Sequence, residues 1–104
     1  FGATGDFRYT DGYPPLVNDA ASIDLVGRVA AREFGAERCR AIAPVMGGED
    51  FAYYLQHVPG AFVMLGIGDN RPYPHHNARF DIDENVLPIG VRLMTAVALE
   101  MMRG

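Results

Sequence analysis

The sequence predicts an α/β protein. Three observations carry that expectation. A continuous apolar run, Ala61-Phe62-Val63-Met64-Leu65-Gly66-Ile67, has the length and composition of a central strand covered on both faces. Two longer stretches, one from Ala20 to Phe34 and one from about Asp83 to Met102, repeat apolar residues at helical spacing. Candidate strands and helices alternate along the chain in the order strand, helix, short strand, short helix, strand, helix, which is the layering of an α/β domain.

Taken in order, Asp6 to Thr10 alternates Phe7 and Tyr9 with polar neighbours, the period of a strand with one buried face. Asp11-Gly12 marks a turn, and Pro14-Pro15 enforces extended backbone before Leu16-Val17. Asn18 and Asp19 can each accept a backbone N–H at a helix start. Ile23, Val26, Ala30 and Phe34 then form an apolar stripe expected to pack on a sheet, and Gly35 is the expected C-terminal cap. Residues 38–45, interrupted by Pro44, read either as a short strand or as an extended approach to the loop that follows. Met46-Gly47-Gly48-Glu49-Asp50-Phe51 reads as a glycine loop entering a helix that runs to about His57, with Pro59-Gly60 ending it. Gly68 to Tyr73 reads as a polar loop. In the last helix, Asp83 is the expected cap, and Pro88 sits in the first turn, where its missing N–H costs nothing. Val86, Gly90, Leu93, Met94, Val97 and Met101 form the expected buried stripe, with Met94, Met101 and Met102 read as core.

Composition narrows the function classes. The chain has 104 residues, about one domain, with 49% hydrophobic and 21% charged residues, a globular balance. The net charge of −4 gives no basic excess to hold nucleic acid or an anionic membrane. No apolar run approaches the roughly 18 residues of a membrane span. The single cysteine, Cys39, excludes an intrachain disulfide framework, fits a reducing compartment, and is expected to be a buried small apolar residue. The chain opens at Phe1 without Met, as expected of a piece of a longer protein.

The ligand-rich stretch is Pro74 to Glu84, with two of the three histidines and three of the thirteen carboxylates. A loop between two core elements is where chemistry tends to sit. On residue chemistry alone, His75 and His76 are either ligands of zinc or a similar ion, oriented by Asp81, Asp83 or Glu84, or exposed and hydrogen-bonding loop histidines. Both readings stand at this point. Gly47-Gly48 at a helix N-terminus is either a substrate-anion cradle or a structural turn with capping acids. A Ser/His/Asp triad is unsupported, because the one serine, Ser22, falls inside the first helix.

Four blocks in register carry a resemblance: Tyr13-Pro14-Pro15-Leu16-Val17-Asn18-Asp19; Met46 to Tyr54; Pro59-Gly60-Ala61-Phe62 with Leu65-Gly66; and His76-Asn77 with Phe80-Asp81, Asp83-Glu84, Leu87-Pro88 and Gly90. From about Gly5 onward the chain resembles the C-terminal part of the amidohydrolase branch of the zinc aminoacylase and carboxypeptidase metallopeptidases. That branch includes hippurate hydrolases, N-acyl-amino-acid amidohydrolases and plant auxin-conjugate hydrolases. The resemblance implies the C-terminal half of a metallopeptidase-type α/β sheet domain at residues 19–104. Residues 1–18 would be the end of a ferredoxin-like small domain, with its last strand. It implies a cytoplasmic, homodimeric parent enzyme that hydrolyses the amide bond of small N-acyl amino acids with two divalent ions, zinc or manganese. His76 matches the C-terminal metal ligand and His75 a variable place, while Gly47 and Gly48 border the substrate. The family's Cys-containing ligand motif and Glu base have no match here, so no catalytic residue is assigned. The chain alone is expected to be inactive and to bind no metal tightly. The rival expectation is a non-catalytic α/β association module.

Overall fold

The computed structural model describes residues 2–68 and 73–103. Its elements are helix α1 (Ala20–Phe34), a 3-10 turn (Ala36–Arg38), the short helix α2 (Phe51–Leu55), a second 3-10 turn (Glu84–Val86) and helix α3 (Leu87–Met101). Residues 69–72 of the expected polar loop lie outside the described residues.

The helix ends follow local chemistry. Asp19 caps α1: its Oδ2 accepts from Ser22 N–H and from the Ser22 hydroxyl, both at 2.8 Å. The same bonds, backbone first, hold the Asp19 carboxyl below its ordinary pKa. Gly35 closes α1 at φ 96°, where a side chain is disfavoured, and donates its N–H to Ala31 O. Asp83 accepts from Asn85 N–H at 3.0 Å at the start of the last helical segment. Pro88 lies in the first turn of α3.

The expected α/β sheet is not formed. Among the described residues there is no strand, either in the run 61–67 or in residues 38–45, and none at 6–10, where the last strand of a ferredoxin-like domain was expected. A strand exists only through a partner that takes its backbone hydrogen bonds, and a parallel one needs cover on both faces as well. The apolar run encodes the burial, but no neighbouring described segment pairs with it. Val63, Met64 and Leu65 stay 39–59% exposed.

Packing is concentrated between α1 and α3. Val29, 1% exposed, is the buried centre of α1, with Leu25 and Val26 beside it. Two ion pairs fasten the helices: Arg32 to Glu100 at 2.9 Å and Arg92 to Glu33 at 2.9 Å. The Arg92 guanidinium also lies 5.4 Å from the centre of the Phe34 ring. Gly90 leaves room for Leu65, whose Cδ2 would stand 3.2 Å from a Cβ at that position. Met94, Met101 and Met102, expected in the core, are instead 70%, 67% and 82% exposed. Cys39, also expected buried, is exposed. Helix α2 is shorter than expected and passes into turns after Leu55. The radius of gyration is 18.4 Å, against about 13 Å for a compact domain of this length.

Candidate functional site

The two candidate loops hang from separate points of this scaffold. The histidine loop is a succession of tight turns. Asn77 N–H donates to Pro74 O at 3.2 Å and Phe80 N–H to Asn77 O at 2.9 Å. The Asn77 side chain then accepts from Arg79 N–H at 2.8 Å, an Asx turn. These bonds carry the chain through His76 at φ 67°, a left-handed conformation uncommon outside glycine but enriched in Asn, Asp and His. His75 and His76 do not share a role in the loop. The His75 ring packs on Phe80, with centroids 5.0 Å apart. The left-handed turn sets off the exposed His76 from it. Arg79 folds back to Tyr73, donating to its hydroxyl at 3.0 Å. The loop is tied to the scaffold where Asp83 N–H donates to Ile67 O at 3.0 Å.

Among the described residues, no group of three or more His, Cys, Asp or Glu side chains comes together in a way that could hold a metal ion. His76 alone offers one nitrogen, which is no divalent-ion site against water. The donor set among the described residues therefore does not by itself fit a catalytic ion.

The glycine loop is organised by an aromatic ring that its sequence neighbourhood does not contain. Tyr13 lies over Gly48, so that a Cβ there would meet Tyr13 Cδ2 at 2.8 Å. Tyr13 in turn meets Tyr53 edge-on, at 5.9 Å and 74°. Gly47 has open space around it. Of the two acids expected to cap α2, Glu49 accepts from Phe51 N–H at 3.1 Å, whereas Asp50, directly before the helix, makes no side-chain capping bond. Ala52, 2% exposed, anchors α2, while Phe51 packs on Phe62 with centroids 5.6 Å apart.

A groove of about 350 Å³ lies between Val17, Asp19 and residues 55–59. Neither His76 nor Gly47 and Gly48 line it, so it does not unite the candidate loops. Two residues without a site role in the sequence reading brace these segments. Asn18 joins the start of α1 to Phe62 through two hydrogen bonds, and Tyr13 covers Gly48. The signal for both was the block 13–19 as a unit, since no single residue in it has a chemical motif.

Comparison with known proteins adds the family. The profile of peptidase family M20/M25/M40 matches residues 4–100. The chain is 40% identical over 87 residues to an N-acetyl-L-cysteine deacetylase of Bacillus subtilis, covering 84% of this chain and 20% of that protein. It is 34% identical over 89 residues to IAA-amino acid hydrolase ILR1-like 4 of Arabidopsis thaliana, covering 83% and 20%. It is 31% identical over 104 residues to thermostable carboxypeptidase 1 of Saccharolobus solfataricus, covering 96% and 26%. The chain thus spans a fifth to a quarter of the length of these relatives. No solved structure gives a significant match. No helix among the described residues is long and apolar enough to cross a membrane.

Proposed function

Since the chain belongs to peptidase family M20/M25/M40, we propose that it is one part of a metal-dependent amidohydrolase that cleaves the amide bond of N-acyl amino acids. The observation that carries this reading is the family match over residues 4–100. The names of two relatives, an N-acetyl-L-cysteine deacetylase and an IAA-amino acid hydrolase, support an amide between an acyl group and an amino acid.

In this reading residues 1–18 close a small domain and residues 19–104 belong to the catalytic domain of a cytoplasmic homodimer. His76 supplies one imidazole to a site for zinc or manganese, and the other ligands come from polypeptide beyond these residues. The exposure of His76 in a left-handed turn supports a side chain presented outward rather than packed. Gly47 and Gly48 border the substrate, where open space at Gly47 leaves its backbone approachable. By itself the chain binds no ion tightly and hydrolyses nothing.

The test is a graft. This chain replaces the matching stretch of the Bacillus subtilis deacetylase, and hydrolysis of N-acetyl amino acids and of hippurate is measured with zinc and with manganese. Metal-dependent hydrolysis, lost in His76→Ala, is expected. A folded graft without amide hydrolysis would sink the reading. Tight stoichiometric binding of zinc to the isolated chain in calorimetry would contradict the single-ligand role.

A further inference from the structure

Two hydrogen-bonded turns share one residue in the histidine loop. Asn77 N–H closes the first on Pro74 O at 3.2 Å, and Asn77 O closes the second by accepting from Phe80 N–H at 2.9 Å. His76 is the third residue of the first turn, at φ 67°. A positive φ at that place suits glycine or asparagine better than a larger side chain. The turn therefore gains from a bond outside its own backbone, and the residue after His76 supplies one. Asn77 Oδ1 accepts from Arg79 N–H at 2.8 Å, inside the second turn. An Asx turn of this kind holds its backbone turn closed. Through the shared residue, it also fixes the direction in which the chain leaves His76.

The other side-chain contacts of the loop brace its flanks. The His75 ring packs on Phe80, and Arg79 Nη1 donates to the Tyr73 hydroxyl. Each spans the corner at Asn77, from residue 75 to 80 and from 73 to 79. Among the described residues, no hydrogen bond or ring contact holds the exposed His76 imidazole itself. Its direction is thus set by the backbone of the turn.

We propose that Asn77 is the positioning residue of His76: its carboxamide oxygen, by bonding Arg79 N–H, fixes the left-handed turn that presents the imidazole. The consequence for hydrolysis rests on the reading of His76 as part of an amidohydrolase site. The control of the turn does not. The bond needs an acceptor on a short side chain. Asn77→Asp keeps an oxygen at the same place, Asn77→Gln moves it one methylene outward, and Asn77→Ala removes it. Comparing Asp with Gln separates the position of the acceptor from the polarity of the residue.

The experiment places the three substitutions in the 104-residue chain and in its graft into the Bacillus subtilis deacetylase, with circular dichroism confirming that the helices are kept. In the chain, NMR should show a strong NOE between the His76 amide proton and its own Hα, the mark of a positive φ. Asn77→Ala and Asn77→Gln should weaken it. The amide of residue 77 should then exchange about two- to tenfold faster, the factor for one net hydrogen bond. Asn77→Asp should keep both signals. In the graft, Asn77→Ala and Asn77→Gln should lower kcat for N-acetyl-L-cysteine by about fivefold or more while KM moves by less than about twofold, and Asn77→Asp should retain most of kcat. A parent chain without the His76 NOE overturns the proposal, as does an NOE that survives Asn77→Ala or an Asn77→Asp that behaves like Asn77→Gln. A lost turn with unchanged kcat overturns the positioning role in hydrolysis. A folded parent graft that hydrolyses nothing sinks the hydrolase reading instead, and the NOE comparison alone then decides on Asn77.

Discussion

The carboxamide of Asn18 takes both backbone hydrogen bonds of Phe62: its Nδ2 donates to Phe62 O at 3.0 Å, and Phe62 N–H donates to its Oδ1 at 2.7 Å. A side chain here performs the pairing that a neighbouring strand would provide. Asp19 adds a third tie, its N–H donating to Gly60 O at 2.9 Å. The start of α1 is thereby fixed to the apolar run that carries Phe62.

Asn18→Ala leaves a part-buried N–H and C=O of Phe62 without partners. The expected cost is about 1–3 kcal/mol in urea unfolding followed by circular dichroism. Hydrogen exchange at the Phe62 amide should accelerate. Unchanged protection of that amide would show that the brace contributes nothing.

Gly48 and Tyr13 should behave as a coupled pair. A Cβ at position 48 meets the Tyr13 ring at 2.8 Å, and that ring is held against Tyr53. Gly48→Ala should therefore cost about 1–3 kcal/mol through overpacking. In a Tyr13→Ala background the same substitution should cost little, giving a coupling energy of about 0.5 kcal/mol or more in a double-mutant cycle. Strict additivity would remove Tyr13 from any part in shaping the glycine loop.

The ion pairs between α1 and α3 set an acid limit. Arg92 first, then Arg32, holds the Glu33 carboxyl below the ordinary value of 4.5, and Arg32 does the same for Glu100. Carboxyls depressed by folding stabilise the folded form above their unfolded pKa and lose that contribution as pH falls through the folded one. Helix-pair stability should thus be level above about pH 5 and decline as pH drops below about 4.5. Glu33→Gln should remove part of the decline. Because the arginines are about half exposed or more, at 48% and 61%, added salt should weaken the same contribution.

Local chemistry made much of the helical architecture legible in the sequence. Asp19, Gly35, Asp83 and Pro88 each act on backbone groups within a few residues, so their roles are written where they stand. Ala61 to Ile67 is different. Its composition states that it is to be buried, but a strand is a relationship with another segment, and composition cannot supply the partner. Met94 and Met101 went astray for a related reason. Periodicity identifies apolar stripes on α3 without saying which one meets α1. Of the candidate site, the blocks that carry the family were readable, and so was the capping role of Glu49. The Tyr13 contact at Gly48 and the Asn18 brace were not, because both join residues far apart in sequence through side-chain geometry.

His76 allows the conformation of a loop to be separated from the chemistry of its side chain. Its φ of 67° places an L-residue in the left-handed region, which costs roughly 1–2 kcal/mol relative to a right-handed conformation and costs glycine almost nothing. His76→Gly should hold the turn at least as well as the parent, with the Phe80 amide still protected by Asn77 O. His76→Val, β-branched and ill-suited to positive φ, should open the turn and expose that amide to exchange. In the graft into the deacetylase, the two substitutions part company. If the imidazole matters as a ligand, His76→Gly abolishes hydrolysis although its loop is intact, and added imidazole restores part of the rate. If His76 only shapes the turn, His76→Gly remains active and His76→Val alone fails. Amide exchange at Phe80 together with the hydrolysis rate decides between the two roles, because only the second outcome makes activity follow the turn rather than the ring.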